Sequence, residues 1–135
     1  MLSGYHRYSG NDRRRYERLD LDLKVVYRVS GPPIVRLNIG DKEIEATMLN
    51  LSLGGMALAT EYGIPVWTLL DIKFSLSRMD KEGEVSIYKP MEITGEVRSS
   101  ILLEDKEYRL GICFTGINDK DKLDLADFIK GIDRR

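Results

Sequence analysis

The stretch Leu19–Val29, LDLDLKVVYRV, decides how the chain begins to fold, because apolar and polar side chains alternate along it. Leu21, Leu23, Val25 and Tyr27 fall on one side of an extended backbone, and Asp, Lys and Arg occupy most positions between them. A period of two is that of a β-strand with one buried face. The stretch therefore predicts a strand whose apolar face lies against a core.

Further strand candidates follow downstream, separated by Gly, Pro, Asn and Asp residues that favour turns. They are Ile34–Ile39 (short), Ile44–Leu51, Met56–Thr60, Leu69–Leu76, Met91–Ile101 and Glu107–Phe114. The polar stretch Ser77–Pro90 is expected to be a long hairpin loop.

The period changes near the end of the chain. Leu125, Phe128, Ile129 and Ile132 have the i, i+3, i+4, i+7 spacing of an amphipathic helix, which Asn118 or Asp119 is placed to cap. Six or so strands and one terminal helix predict a mainly β fold: a small six-stranded antiparallel β-barrel with a C-terminal α-helix packed against it.

An arginine cluster, Asp12–Arg18 (DRRRYER), lies immediately upstream of the first strand. The guanidinium group pairs with guanine O6 and N7 and binds phosphate oxygens, which lysine does less well. Further along, Asn50–Gly55 (NLSLGG) places Asn50 and Ser52 on one side of an extended segment, and Gly55 lacks the Cβ that would block a close approach. Together the two stretches predict one site for an anionic, guanine-containing nucleotide.

The order and spacing of these residues resemble the two-part signature of PilZ domains, written RxxxR and (D/N)xSxxG. The signature positions are occupied by Arg14, Arg18, Asn50, Ser52 and Gly55. RxxxR alone arises often by chance, but the two motifs in this order on predicted strands are specific. The resemblance covers nearly the whole chain, roughly from Arg13 to Ile132.

PilZ domains are receptors for the bacterial second messenger cyclic di-GMP, so the resemblance implies this ligand. The two motif arginines would bind guanine and phosphate, and Asn50 and Ser52 would bind a guanine edge. Gly55 would leave space for the ligand. Arg13 is a further candidate, and in this family a basic residue there implies two intercalated nucleotides in the site. The resemblance also implies that the arginine arm is mobile when free and closes over the ligand, repositioning the surface that meets a partner protein.

The composition of the 135 residues, 42% hydrophobic and 32% charged, predicts one soluble globular domain. We expect a flexible lead-in over residues 1–12 and a PilZ-like domain over 13–135, with the arm at 13–18, the barrel at about 19–117 and the helix at about 119–132. The net charge is −1, but residues 1–18 carry +3 and the remainder −4. This local positive charge suits a compact anion better than a long polyanion.

Neither a signal peptide nor a membrane-spanning segment is expected, and the single cysteine, Cys113, fits a reducing cytoplasm. Cys113 lies in an apolar run and is expected to be a small core or strand residue. Trp67 is expected to be a partly buried core residue. Arg98 and Arg109 are expected to be solvent-facing strand charges, or else to line a pocket.

Two other functions stay open: an adaptor of the same fold without nucleotide binding, and a barrel that binds single-stranded nucleic acid. An enzyme is not expected, because the sequence offers neither a His–nucleophile constellation, nor a metal-ligand cluster, nor a Gly-rich phosphate loop joined to a Lys. We therefore expect no metal and no cofactor. The resemblance to PilZ domains implies an unidentified effector protein as partner, and we expect a monomer or weak dimer.

Overall fold

Six antiparallel strands close into a barrel in the computed structural model, which describes residues 18–79 and 81–133. The strands are β1 (Leu19–Gly31), β2 (Ile44–Leu51), β3 (Gly55–Thr60), β4 (Leu69–Met79), β5 (Val85–Leu102) and β6 (Tyr108–Gly116). Their order around the barrel is β1-β2-β3-β6-β5-β4, so β1 pairs with both β2 and β4. With the C-terminal helix α2 (Asp119–Asp133), this confirms the predicted mainly β fold.

The barrel interior is filled by the apolar faces that the period of two predicted. On β4 the buried side chains are Leu70, Ile72, Phe74 and Leu76. On β1 they are Leu19, Val25, Tyr27 and Val29, whereas Leu21 and Leu23 are half-buried and pack against the same core. Alternation holds because each strand presents one face to the core and the other to the outside.

Tyr27 is a polar group inside this core. Its side chain is 1% exposed, and its hydroxyl lies 2.8 Å from Oγ1 of Thr60, which is also buried. Burial removes water that would stabilise a phenolate and so raises the pKa of Tyr27 to about 12, although the hydrogen bond to Thr60 opposes the shift. At neutral pH the pair is therefore a neutral hydrogen bond between β1 and β3.

The predicted short strand at Ile34–Ile39 is wrong: the segment is a helix, α1 (Pro33–Ile39). Pro33 has the backbone angle of a first helical residue, and the amides of Val35 and Arg36 both donate to the Pro32 carbonyl at 3.1 Å. The helix ends at Gly40, whose φ is +102°. The apolar residues that suggested a strand have no sheet partner, and Leu37 is 82% exposed.

The predicted long loop at Ser77–Pro90 is also wrong, because β4 and β5 continue through most of it as a paired hairpin. Ser77 pairs with Tyr88 and Ser75 with Pro90, so that only residues 80–84 connect the two strands. The segment contains many charged residues together with Gly83 and Pro90, and these suggested a loop although Val85 and Ile87 alternate with Ser86.

Helix α2 begins with a reciprocal cap. Asn118 Oδ1 accepts from the Asp121 amide at 2.7 Å, and Asn118 Nδ2 donates to Asp121 Oδ2 at 3.2 Å. Leu125, Phe128 and Ile129 are buried with the barrel core, as their spacing predicted. In the described part of the chain, neither helix is long and apolar enough to cross a membrane.

Candidate functional site

The pairing of β1 with β2 brings the end of the arginine cluster beside the Asn50–Gly55 segment. Leu19 lies opposite Leu51, and Asp20 lies opposite Asn50. Arg18 immediately precedes this paired stretch, so antiparallel register places it at the level of the residues that follow Leu51. Arg18, the last residue of the first motif, thus meets the second motif at one end of β1 and β2.

An open cleft of about 350 Å³ lies at this meeting point and extends across β3 and β6 to β5. Its lining residues are Arg18, Asn50, Ser52, Gly54, Gly55, Met56, Ala57, Arg98, Arg109, Gly111, Ile112 and Cys113. The structure therefore brings together four of the six predicted site residues. The other two, Arg13 and Arg14, lie outside the described residues.

The turn between β2 and β3 is built by Ser52. Its amide donates to the Gly55 carbonyl at 2.9 Å, and its hydroxyl accepts from the Gly54 amide at 3.2 Å. The hydroxyl also lies 3.4 Å from the Gly55 carbonyl. Ser52 therefore stabilises the turn itself, and the lone pair that the turn leaves unused is available to a ligand in the cleft.

Asn50 is a buried amide on the cleft wall, with 8% of its surface exposed. Among the residues described, none forms a hydrogen bond with its side chain. A carboxamide has two donors and an acceptor, and in Asn50 these remain available to a ligand that enters the cleft. The arrangement is suited to a ligand with a polar edge, such as a purine base.

Arg18 supplies positive charge to the same wall. Its side chain is half-buried at 19% exposure, and Nε lies 3.5 Å from Asp20 Oδ1. Asp20 is more exposed, at 36%. The Asp20 carboxylate forms an ion pair with the guanidinium, whose planar fork matches phosphate or the guanine edge.

Close packing between two strands requires glycine at position 55, which the sequence alone did not show. A Cβ at this position would collide with the carbonyl oxygen of Ile112 and lie 3.4 Å from Cys113 Cα. The close approach that requires glycine is thus between β3 and β6, whose register pairs Gly55 with Cys113. Gly55 shapes the cleft wall through this packing.

Arg98 on β5 and Arg109 on β6 also line the cleft, as one of the two predicted alternatives had it. Arg98 is at the same time exposed to solvent, whereas Arg109 is half-buried. Alternation along β6 could have shown that Arg109 faces outward, because Leu110 and Ile112 are buried. Which outer faces share a cleft depends on the strand order β3-β6-β5, and that order is not visible in the sequence.

The prediction that Trp67 is a partly buried core residue is wrong, because Trp67 is 63% exposed. Its ring lies instead against the Arg98 guanidinium, with Cζ 5.2 Å from the ring centroid. Cys113 is a strand residue, as expected, but it is half-buried on the cleft wall rather than in the core. Across the described ranges, no group of three or more His, Cys, Asp or Glu side chains is arranged to hold a metal ion.

Comparison with known families finds that the PilZ domain profile matches residues 12–131. Among solved structures, the chain resembles the Bacillus subtilis inhibitor of motility MotI/DgrA, with a TM-score of 0.68 and 20% identity over 92% of this chain and 53% of that one. It also resembles the PilZ domain of Escherichia coli YcgR with c-di-GMP, with a TM-score of 0.60 and 16% identity over 91% and 93% of the two chains.

A third similar structure is the K. pneumonia MrkH–c-di-GMP complex, with a TM-score of 0.61 and 17% identity over 90% of this chain and 52% of that one. The chain thus spans about half the length of MotI/DgrA and of MrkH. At these identities the likeness is one of fold. No curated protein matches the sequence significantly.

Proposed function

The chain belongs to the PilZ domain family, and on that premise we propose that it is a cyclic di-GMP receptor that binds the nucleotide without converting it. The observation that carries this proposal is the meeting of Arg18 with Asn50, Ser52 and Gly55 on one cleft. Support also comes from two structural neighbours, YcgR and MrkH, which are described in complex with c-di-GMP.

The ligand has two features that the cleft side chains match chemically. Its guanine edges present O6 and N7 acceptors, and its phosphates are anionic. In the proposed complex, Arg18 binds phosphate or the guanine edge through its planar donors. Asn50 hydrogen-bonds a base edge with its amide, and the Ser52 hydroxyl accepts from a guanine N–H with its remaining lone pair. Gly55 contributes the shape of the wall.

Arg14 and Arg13 complete the proposed site from the segment before Arg18. In the proposal, Arg14 acts with Arg18 on guanine and phosphate, and Arg13 favours two intercalated nucleotides rather than one. The arm over residues 13–18 closes on the ligand, and its movement presents a changed surface to an effector protein. We propose a cytoplasmic monomer or weak dimer, which agrees with the free thiol of Cys113.

The proposal is tested by calorimetric titration of cyclic di-GMP into the wild type and into Arg14→Ala, Arg18→Ala and Asn50→Ala. Arg28→Ala is a matched control, because Arg28 is an exposed β1 arginine paired with Asp41 and does not line the cleft. We expect each site variant to lose at least about tenfold in affinity, since a charge-assisted or buried hydrogen bond contributes on the order of 1.5–3 kcal/mol. The control should bind as the wild type does.

GTP and single-stranded RNA are the competing ligands in the same experiment. Selective binding of cyclic di-GMP supports the receptor, and the stoichiometry distinguishes one nucleotide from an intercalated pair. If the wild type binds none of the three at high micromolar concentration, the receptor is rejected in favour of the adaptor. Preferential binding of RNA would instead indicate a nucleic-acid-binding barrel.

A further inference from the structure

The flank of the cleft formed by β5 and β6 carries two arginines outside the family signature. β1, β2, β3, β6 and β5 are successive neighbours in the barrel, so Arg18 on one flank faces Arg98 and Arg109 on the other. Between them lie Gly111, which has no side chain, and Ala57, whose small side chain is buried. The cleft thus has a flat floor with guanidinium groups on both sides.

Arg98 is held in one orientation by its surroundings. Its Nε lies 2.7 Å from Glu96 Oε1, and one face of the guanidinium lies over the Trp67 ring. Val97 pairs with Ile112 and Ser99 pairs with Gly111, so Arg98 is the extra residue of a β-bulge. Bulges commonly re-aim a side chain beside a functional site. Within the described part of the chain, the terminal nitrogens of Arg98 have no acceptor.

Trp67 has a position that core packing does not explain. Its φ is +78°, a conformation that is costly for a large non-glycine residue. Two hydrogen bonds impose it: the Trp67 amide donates to the Val97 carbonyl at 2.7 Å, and the Val97 amide donates to the Thr68 carbonyl at 2.9 Å. The hydrogen bonds explain the backbone conformation, and the cation–π contact with Arg98 explains where the exposed ring lies.

Arg109 differs from Arg98 in its surroundings. It is half-buried on β6, and the described residues include neither an ion-pair nor a hydrogen-bond partner for its side chain. A guanidinium on the wall of an open cleft is available to an anion that enters it. A phosphate in the cleft would provide the missing charge.

We propose that Arg98 and Arg109 form a second basic wall that contacts the phosphates of the bound nucleotide from the flank opposite Arg18. Trp67 and Glu96 are positioning residues that hold the Arg98 guanidinium toward the cleft before the ligand arrives. This inference rests on the proposed function and assigns further ligand contacts to the same site. Because Trp67 is the only tryptophan, ligand contact at Arg98 changes the intrinsic fluorescence of the protein.

Affinity measurements on Arg98→Ala, Arg109→Ala and Trp67→Gly test the proposal. Glycine accepts the backbone conformation at position 67, so Trp67→Gly removes the ring without adding strain. We expect each arginine variant to bind cyclic di-GMP about tenfold more weakly, as for loss of a charge-assisted hydrogen bond. Trp67→Gly should bind about threefold to tenfold more weakly with an unchanged unfolding midpoint, while Trp67→Phe retains most of the affinity.

A double-mutant cycle separates positioning from a general structural effect. If Trp67 acts through Arg98, then adding Trp67→Gly to Arg98→Ala causes no further loss of affinity. Additive losses would overturn the positioning role. Wild-type affinity in both arginine variants, with binding still lost in Arg18→Ala, would overturn the second basic wall and leave the receptor intact. No binding by the wild type, and no fluorescence change at Trp67, would reject both proposals.

Discussion

Replacement of Gly55 by alanine separates the role of this glycine in packing from its place in the family motif. The added Cβ would meet the Ile112 carbonyl oxygen, the Ile112 carbonyl carbon at 3.2 Å and Cys113 Cα at 3.4 Å. All three are backbone atoms, which cannot rotate away as a flexible side chain could. Since Gly55 does not have a positive φ, the alanine is opposed by this collision and not by backbone conformation.

The collision is relieved only if β3 and β6 move apart at their first pair. Next to that pair, the Phe114 amide donates to the Gly54 carbonyl at 2.9 Å, and this bond is lost when the strands separate. Overpacking costs about 1–3 kcal/mol and a lost hydrogen bond about 1 kcal/mol, so Gly55→Ala should destabilise the protein by about 2–4 kcal/mol. For a domain of this size, the unfolding midpoint falls by about 10 °C.

Urea denaturation of Gly55→Ala and Gly31→Ala measures the difference. Gly31 is also an extended strand residue, but the nearest atom to its added Cβ is Leu69 Cδ1 at 4.0 Å. Gly31→Ala should therefore remain within about 1 kcal/mol of the wild type. Wild-type stability of Gly55→Ala would refute the packing argument. A loss of nucleotide affinity in Gly55→Ala would then be evidence for direct ligand contact.

Three further perturbations test the fold around the site. Tyr27 ionises near pH 10.0 when unfolded and near 12 when folded, so the folded state retains a proton that the unfolded state releases. The free energy of unfolding should therefore fall by about 2–3 kcal/mol as the pH rises from about 10 to about 12, because of this one group. Urea denaturation of Tyr27→Phe over the same pH range should lack this contribution. Asn118→Ala removes the cap of α2 and should cost about 1 kcal/mol by the same measurement, whereas no loss would contradict the cap. Ile72→Ala, at a fully buried core position, should cost about 2–5 kcal/mol, and a cost below 1 kcal/mol would contradict the packed interior.

The strands over the core were predictable because burial of one face imposes a period of two, as on β4. Two elements were missed for reasons that are also physical. The α1 segment contains β-branched and apolar residues typical of a strand, but Pro33 and Gly40 delimit a helix. Ile34 and Leu37 are exposed on it, whereas Val35 and Ile39 pack partly against the core. The outer hairpin of β4 and β5 continues the pairing through a stretch rich in charged residues, with Gly83 and Pro90, which favoured a loop.

The candidate site also has residues that the sequence predicted and residues that it could not assign. Asn50 and Ser52 were predicted to share one side of an extended segment, and both line the cleft, although Ser52 lies in the turn after β2. The β1–β2 register brings Arg18 to them. Arg98 and Trp67 could not be assigned from sequence, because their contact depends on a bulge and on barrel closure. These features involve residues that are neighbours only after β5 has paired with both β4 and β6.

The most direct test of the central claim is an NMR titration of cyclic di-GMP into the uniformly ¹⁵N-labelled protein. The account predicts shifts of the Asn50 side-chain amide, the Arg18 and Arg98 Nε signals and the Gly55 backbone amide. The side-chain amide of Asn118, at the cap of α2, should not move, because it lies outside the cleft. Shifts confined to another face of the barrel, or none at saturating ligand, would contradict nucleotide binding in this cleft.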